Sequence, residues 1–327
     1  SKYPHFYLQH PCIKQALRND PSIIMAEKKF FIVVNPVAGR KKVAALVAQE
    51  FKEYLDAYPK EKHQITYHIE ETRYGGHATG MVSKAKEENY TDIVVIGGDG
   101  TVNDVVNGGL DHSMALSVLP CGTGNDFCKT LNWPKDRNLQ FRSAVEGLPR
   151  LIDLGVCNKR RFANTMGLGF DGRVVDTMEK YGRKFNGGLA YLYATAKEFL
   201  TYKEPKIRFQ WEEGEEEGSL FLMAINNGEF FGGGFHITPE AELDDGLLDV
   251  CLIQDLSLFR RFMHLPKAHA GKHANVRGIR FFRTRKVKVD SVESGVIGQV
   301  DGEYLGKPPF EVILIPNALR VRSGLEL

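Results

Sequence analysis

Three times in the first 126 residues a short apolar run breaks directly into a loop that carries glycine. Residues 30–34 lead into Asn35-Pro36-Val37-Ala38-Gly39, residues 93–96 into Gly97-Gly98-Asp99-Gly100-Thr101, and residues 114–119 into Pro120-Cys121-Gly122-Thr123-Gly124-Asn125-Asp126. Such runs, rich in β-branched and aromatic residues, are the pattern of strands buried on both faces of a parallel sheet. Behind the first loop Val43, Leu46, Val47, Phe51 and Leu55 recur at helical spacing, residues 65–69 alternate as a strand, and a polar helix runs to about Glu88 after the loop 71–77. Strand and helix in alternation, with right-handed crossovers, predict a doubly wound α/β sheet. Loops at the carboxyl ends of adjacent parallel strands line one crevice, where such sheets bind ligands.

Beyond residue 151 the pattern changes. LGVCNKRRFANTMGLGF, KIRFQW, SLFLMAINN, LLDVCLI, RKVKV and FEVILIP are short strands between Gly-rich or charged turns, with one clear helix over 189–202, which predicts an antiparallel β-sandwich or barrel. The acidic run 212–218 reads as a solvated hairpin tip. A chain of 327 residues exceeds what one core organises, so two domains are expected. The net charge of +2 gives no sign of a nucleic-acid binder. Five cysteines without a CxxC pair read as reduced thiols of a cytoplasmic protein. No apolar run of about 18 residues predicts a membrane span, and the first residues lack the apolar core of a secretory signal.

The loops point to phosphate. Glycines let backbone N–H groups approach phosphate oxygens at a helix N-terminus, which Thr101 is expected to cap. The stretch fits neither GxxxxGK[ST] nor GxGxxG, so the two standard nucleotide fingerprints do not apply. Asp99 and Asp126 beside phosphates would repel them unless a magnesium ion lay between. The alternative for either aspartate is an ordinary turn or cap residue.

GGDGTVNDVVNGG and PCGTGNDF, preceded by NPVAG and followed by LGFDGRV, NNGEFFGGG, PEAELDDGLLDV and QVDGE, closely resemble the bacterial diacylglycerol kinase and sphingosine kinase-like lipid kinase family from about Phe30 to the end of the chain. GGDGT alone is shared with NAD kinases and phosphofructokinases. The resemblance implies an α/β nucleotide-binding domain over 28–150, a β-sandwich lipid-binding domain over 151–315 and a tail 316–327 returning to the first; residues 1–27, before it begins, read as an irregular extension. It implies ATP and Mg2+, with nucleotide contacts from Asn35, Pro36, Thr72, Gly98, Asp99, Gly100 and Thr101. Asp99 and Asp126 would belong to an acidic network supporting the metal. Asp301 matches the family's general base for the lipid hydroxyl, with Glu303 in the same network. Two residues apart on an extended chain, Asp301 and Glu303 would point the same way; on its own the Asp-Gly pair reads as a hairpin turn. A structural magnesium is implied at Asp245 with the carbonyls of Glu242 and Leu247. Asp104 stands where relatives usually carry Glu. The implied activity is transfer of the γ-phosphate to a lipid alcohol such as diacylglycerol. The alternatives are an NAD kinase-like or other small-molecule kinase and a non-catalytic lipid or nucleotide sensor. A homodimer is left open.

Between Asp255 and Asp290 no acidic residue occurs, while Arg260, Arg261, Lys267, Lys272, Arg277, Arg280, Arg283, Arg285, Lys286 and Lys288 share the stretch with Leu256, Leu258, Phe259, Phe262, Met263 and Leu265. This pattern reads either as peripheral contact with an anionic membrane or as a helix packed by its apolar face followed by strands with solvated charges.

Overall fold

The computed structural model describes residues 27–39, 43–60, 63–181, 187–254 and 256–325. The expectation for the N-terminal extension therefore lies, Glu27 apart, outside the described residues. Strands β1 (Lys28–Val34), β2 (Ile65–Glu71), β3 (Asp92–Gly97) and β4 (Ala115–Pro120) alternate with helices α1 (Val43–Asp56), α2 (His77–Glu87) and α3 (Asp99–Asn107); α4 (Asp126–Thr130) and α5 (Arg137–Glu146) follow. The four strands pair in parallel in the order β2-β1-β3-β4. Side chains of β1 divide between two cores: Phe31 and Val33 pack with Met81, Val82 and Val102 from α2 and α3, while Phe30, Ile32 and Val34 pack with Val47 and Phe51 from α1 and Phe141 from α5. Helices thus cover both faces, as the unbroken apolar runs require.

The second half comprises β5 (Pro149–Cys157), β6 (Arg160–Phe162), β7 (Thr165–Gly169), α6 (Phe170–Tyr181), α7 (Gly187–Thr201), β8 (Lys206–Trp211), β9 (Gly214–Ser219), β10 (Leu222–Asn226), the short pair β11 (Phe230–Phe231) and β12 (Phe235–His236), β13 (Leu248–Ile253), α8 (Leu258–His269), β14 (Ile279–Thr284), β15 (Lys286–Ser291), β16 (Gly298–Val300), β17 (Glu303–Gly306) and β18 (Phe310–Arg322). One sheet has the order β14-β13-β10-β7-β16-β17. Its inner residues Met166, Leu168, Met223, Ile225, Val250 and Leu252 face Ile207, Phe209, Val287, Val289 and Val312 across an antiparallel sandwich. That opposing layer is continuous with the parallel sheet, because β18 pairs antiparallel with β15 and β5 and then, at Arg320 and Val321, in parallel with Ala115 and Leu116 of β4.

Three details differ from the sequence expectation. Helix α6 was not anticipated; its Gly172 lets the first turn press on the β16 edge, where an added Cβ would stand 2.1 Å from the Ile297 carbonyl oxygen. The acidic run is only partly a hairpin tip: from Gly214 onward it is strand β9, whose Glu217 pairs with Arg208 at 3.1 Å and whose Glu216 pairs with Arg280 at 2.7 Å. Helix α8 exists with none of its residues buried: Phe262 meets Phe199, but Phe259 and Met263 stay exposed, so its apolar face is only partly packed. Among the described residues no helix is long and apolar enough to cross a membrane.

The end of β18 is held by a buried ion pair. Arg322 Nε lies 2.7 Å from Asp92 Oδ1, and its Nη1 donates to the Gly147 carbonyl at 2.6 Å. Both side chains are nearly inaccessible. Removing only the cation leaves a buried, uncompensated carboxylate, so Arg322→Met is expected to cost about 3–5 kcal/mol. The double variant Arg322→Met/Asp92→Asn should lose distinctly less. Denaturant unfolding of the three proteins checks this, and equal losses in both variants would refute the charge explanation.

Candidate active site

Glycine brings the loops together where larger residues could not. A Cβ on Gly98 would stand 3.1 Å from the Cα of Gly122, and one on Gly122 only 2.8 Å from the Cα of Gly98. The loop after β1 joins them through Asn35, whose Nδ2 donates to Thr101 Oγ1 at 3.0 Å and whose Oδ1 accepts the Val37 N–H at 3.2 Å. Thr101 therefore does not cap α3, which starts at Asp99 with Gly98 as its cap residue and no side-chain acceptor. The Thr101 N–H donates to the Gly98 carbonyl at 3.0 Å, so only the Asp99 and Gly100 amides at the start of the helix could face an anion. No atom lies within 4 Å of a Cβ position on Gly75, Gly76 or Gly100, so the space over these turns is open. Thr72, whose N–H donates to the Val34 carbonyl at 2.8 Å, lines an open cavity of about 420 Å³ along β2 with His68, Glu70, Arg73 and Lys84.

Carboxylates crowd the same junction. Asp99 accepts the Phe127 N–H at 3.3 Å. Its pKa is raised above the usual carboxylate range by burial and then by the charge of Asp126, against the pull of the loop N–H donors. Asp126 is buried, with Lys129 Nζ 2.9 Å from Oδ1 and the Gly233 N–H 2.7 Å from Oδ2. A Cβ on Gly124 would approach both Asp99 Oδ2 at 3.0 Å and Asp126 Oδ2 at 3.9 Å, which places the two carboxylates around one glycine.

Asp301 comes to this cluster from the sandwich. It sits in the turn between β16 and β17 with φ 45, followed by Gly302 with φ 85, so the hairpin-turn reading is realised. In that turn the simple alternation expected for Asp301 and Glu303 does not apply, because Asp301 is not extended. They meet instead at Asn103 of α3: Asn103 Nδ2 donates to Asp301 Oδ2 at 3.2 Å, and Arg160 Nη2 bonds both Glu303 Oε2 and, at 3.3 Å, Asn103 Oδ1. The N–H groups of Ala163 and Thr165 also donate to Asp301, at 3.1 and 2.8 Å. Burial nevertheless pushes its pKa up to about 7, reinforced by the charge of Asp99. The pKa of Glu303 is raised by burial, which Arg160 opposes. Asp104 accepts the Gly76 N–H at 2.9 Å, and its charge is felt by Glu303. The aspartate therefore fastens the α2 loop to α3.

Asp245 lies in a second cluster. Its Oδ1 accepts the Leu247 N–H at 3.0 Å, and Arg283 Nη1 is 3.8 Å from Oδ2. Burial raises its pKa, as do the charges of Glu242 and Asp153, and the adjacent Asp249 has a buried oxygen, Oδ2, without a partner. Excess negative charge and an unpartnered oxygen suit a cation. Among the described residues no three His, Cys, Asp or Glu side chains form a ready metal cage. Both clusters thus fit magnesium only if phosphate, main-chain carbonyls or water complete the shell.

Sequence reasoning passed over Arg160, Asn103, Lys129, Gly233 and Asp153. Arg160 is one of two adjacent arginines, and the pattern does not say which faces the cleft. Asp153 left a usable signal, an acid inside an apolar strand, which must find donors; the N–H groups of Gly246 and Asn317 provide them, both at 2.8 Å.

Residues 29–157 match the family described as the diacylglycerol kinase catalytic domain, and residues 164–323 the YegS C-terminal NAD kinase beta sandwich-like domain. The chain is 31% identical to the diacylglycerol kinase of Bacillus subtilis (strain 168) over 306 residues, 90% of this chain and 96% of that protein. It is 29% identical to the diacylglycerol kinase of Staphylococcus carnosus (strain TM300) over 302 residues, 90% and 94% of the two chains. A solved structure of a diacylglycerol kinase from Bacillus anthracis str. Sterne aligns with a TM-score of 0.67 at 22% identity, covering 91% of this chain and 97% of the other, and so supports the fold.

The raised pKa of Asp301 makes a stability prediction. Between the ordinary carboxylate value and about 7 the folded protein holds a proton that the unfolded chain has released, so stability falls as pH rises through that window. In magnesium-free buffer Asp301→Asn, which cannot ionise, should show a flatter decline of Tm across it. Thermal melts at a series of pH values read the slope, and parallel curves for the two proteins would contradict the protonation assigned to Asp301.

Proposed function

The chain belongs to the diacylglycerol kinase family, and on that premise we propose that it moves the γ-phosphoryl group of ATP to the hydroxyl of a membrane lipid of the diacylglycerol class. The observation that carries this reading is Asp301: a carboxylate raised to about 7, supplied by the sandwich and hydrogen-bonded to the helix that follows the GGDGT turn. At neutral pH such a group is poised to accept a proton. The lipid hydroxyl oxygen forms the new bond to the γ-phosphorus, the bond from that phosphorus to the bridging oxygen breaks, ADP departs, and the hydroxyl proton goes to Asp301. Asn35, Pro36, Thr72, Gly98, Gly100 and Thr101 hold the nucleotide along the crevice. Asp99 and Asp126 would hold magnesium, which when bound neutralises phosphate charge. Glu303 keeps Arg160 at the junction, where its guanidinium offsets charge building on the transferred group. Asp245, with the carbonyls of Glu242 and Leu247, would hold a structural magnesium. The enzyme works peripherally, on lipid that stays in the bilayer.

Incubating labelled ATP with a total lipid extract tests the reading. Label is expected in an organic-phase phosphate ester; label transferred only to NAD, or no turnover at all, would favour a soluble-substrate kinase or a sensor. Asp301→Asn should reduce transfer about 10²- to 10⁴-fold while nucleotide binding persists, and Asp99→Asn should chiefly weaken Mg-nucleotide affinity in a titration. For Asp245 the check is thermal: a metal that binds only the folded state stabilises it, so magnesium should raise the Tm of the wild type more than that of Asp245→Ala. Identical shifts would remove the structural metal.

A further inference from the structure

The basic stretch after β13 divides in two once folded. Arg261 turns inward, 2.8 Å from Glu204 and over the Phe221 ring at 4.3 Å. Arg280, Arg283 and Lys286 pair with Glu216, Asp249 and Glu311. These cations anchor the fold and are not available to a surface. Arg260 and Lys267 remain on α8 and Lys272 and Arg277 just beyond it, with no carboxylate partner among the described residues.

Helix α8 carries those charges beside large apolar groups that are exposed among the described residues. Phe259 is 76% exposed and Phe262 54%, and Leu258, Met263 and Leu265 are also exposed. The helix contains no acidic residue. Helix α7 extends the surface: the Phe262 ring meets Phe199 at 4.8 Å, and Leu192 and Leu200 of α7 are exposed at 64% and 58%. A soluble surface seldom displays so many large apolar side chains together unless something covers them.

The position of this surface connects it to the chemistry. The Tyr191 hydroxyl of α7 donates to the Gly232 carbonyl at 3.0 Å, and His269 of α8 meets the Phe235 ring at 5.2 Å. Both helices thus brace the β11–β12 hairpin, whose Gly233 N–H donates to Asp126. We propose that α8 and the exposed face of α7 form a bilayer-docking surface in which Phe259, Phe262, Met263 and Leu200 enter the acyl boundary while Arg260, Lys267 and Lys272 meet anionic headgroups. Charge complementarity fixes the occupant as an anionic leaflet: cations flank an apolar stripe on a helix without acids, the arrangement of an interfacial helix. The proposal rests on the lipid-kinase reading, since it places the cleft next to the plane in which a lipid hydroxyl lies.

The test uses the full chain and vesicles without substrate, phosphatidylcholine alone or mixed with phosphatidylglycerol. Wild type should cosediment with the anionic vesicles and be partly released by salt. Arg260→Gln/Lys267→Gln should weaken partitioning roughly 30-fold, taking each basic residue as worth about 1 kcal/mol. Phe259→Ser/Met263→Ser should weaken it in a salt-independent way. Phe259→Trp serves as a probe that leaves the surface apolar, and its emission should shift to the blue on adding anionic vesicles. Unchanged emission, or variants that bind as wild type does, would overturn the proposal. So would a concentration-dependent dimer, lost in Phe259→Ser and accompanied by no vesicle binding, because a second copy would then cover α8. Activity separates the two levels: the variants should phosphorylate a monomeric short-chain diacylglycerol at the wild-type rate and lose rate only on vesicle-embedded diacylglycerol. If no diacylglycerol is phosphorylated in either form, the functional reading fails, while the vesicle result still decides the docking surface.

Discussion

Strand β18 hydrogen-bonds first to the sandwich, through β15 and β5, and then to β4 of the parallel sheet. A single backbone ladder therefore runs through both halves of the molecule. Leu319 and Val321 are buried with Val95, Leu116 and Val118 in a core of the α/β sheet, whereas Val312 is buried with Phe209 and Val289 inside the sandwich. One strand thus belongs to both cores, while the turn carrying Asp301 reaches α3 from the facing sheet, held by the Ala163 and Thr165 N–H groups and by Asn103. The Asp92–Arg322 pair closes this arrangement at its far end, where a charge without its partner would be costly.

The junction so fixed is electrostatically uncomfortable. Asp99 and Asp126 surround Gly124, and Asp301 feels the charge of Asp99. Stability alone would favour neutral side chains here, and burial does push Asp301 towards its protonated form. Such conflict between local energetics and global fold is expected where function, not packing, has selected the residues. The compensations are small and local: Lys129 on Asp126, Arg160 on Glu303, and backbone N–H groups on Asp99 and Asp301. They leave the cluster with unspent negative charge.

The parallel sheet was legible because its strands are buried on both faces and read as unbroken apolar runs, and because glycine marks each turn towards the crevice. The sandwich was legible from short runs and charged turns. Helix α6 was not: its segment FDGRVVDTMEKY begins with a glycine in the first turn, and that glycine answers to the neighbouring Ile297 carbonyl, a tertiary demand with no local signature. Thr101 was misread for a similar reason. Its sequence position suits a cap, but the helix starts two residues earlier and Asn35, distant in sequence, claims the hydroxyl. The aspartates could be singled out from charge beside phosphate-type loops. Arg160 and Asn103 could not, since what gives them a role is the meeting of two chain segments, and one sequence records no such meeting.

The charge run after β13 shows the same limit from the other side. On paper ten cations formed one basic region; folded, Arg283 and Lys286 meet carboxylates on the neighbouring strands β13 and β18, Arg280 meets Glu216 of the facing sheet, and Arg261 went under its own helix. What remains exposed is smaller and more ordered, because helical spacing keeps Arg260 and Lys267 beside the stripe made by Phe259, Phe262 and Met263. The β11–β12 hairpin touches Tyr191 of α7 and His269 of α8 as well as Asp126, so whatever covers α7 and α8 bears on helices that meet a segment in contact with the carboxylate cluster. A short glycine-rich hairpin is thus what links the exposed apolar surface to the carboxylate cluster.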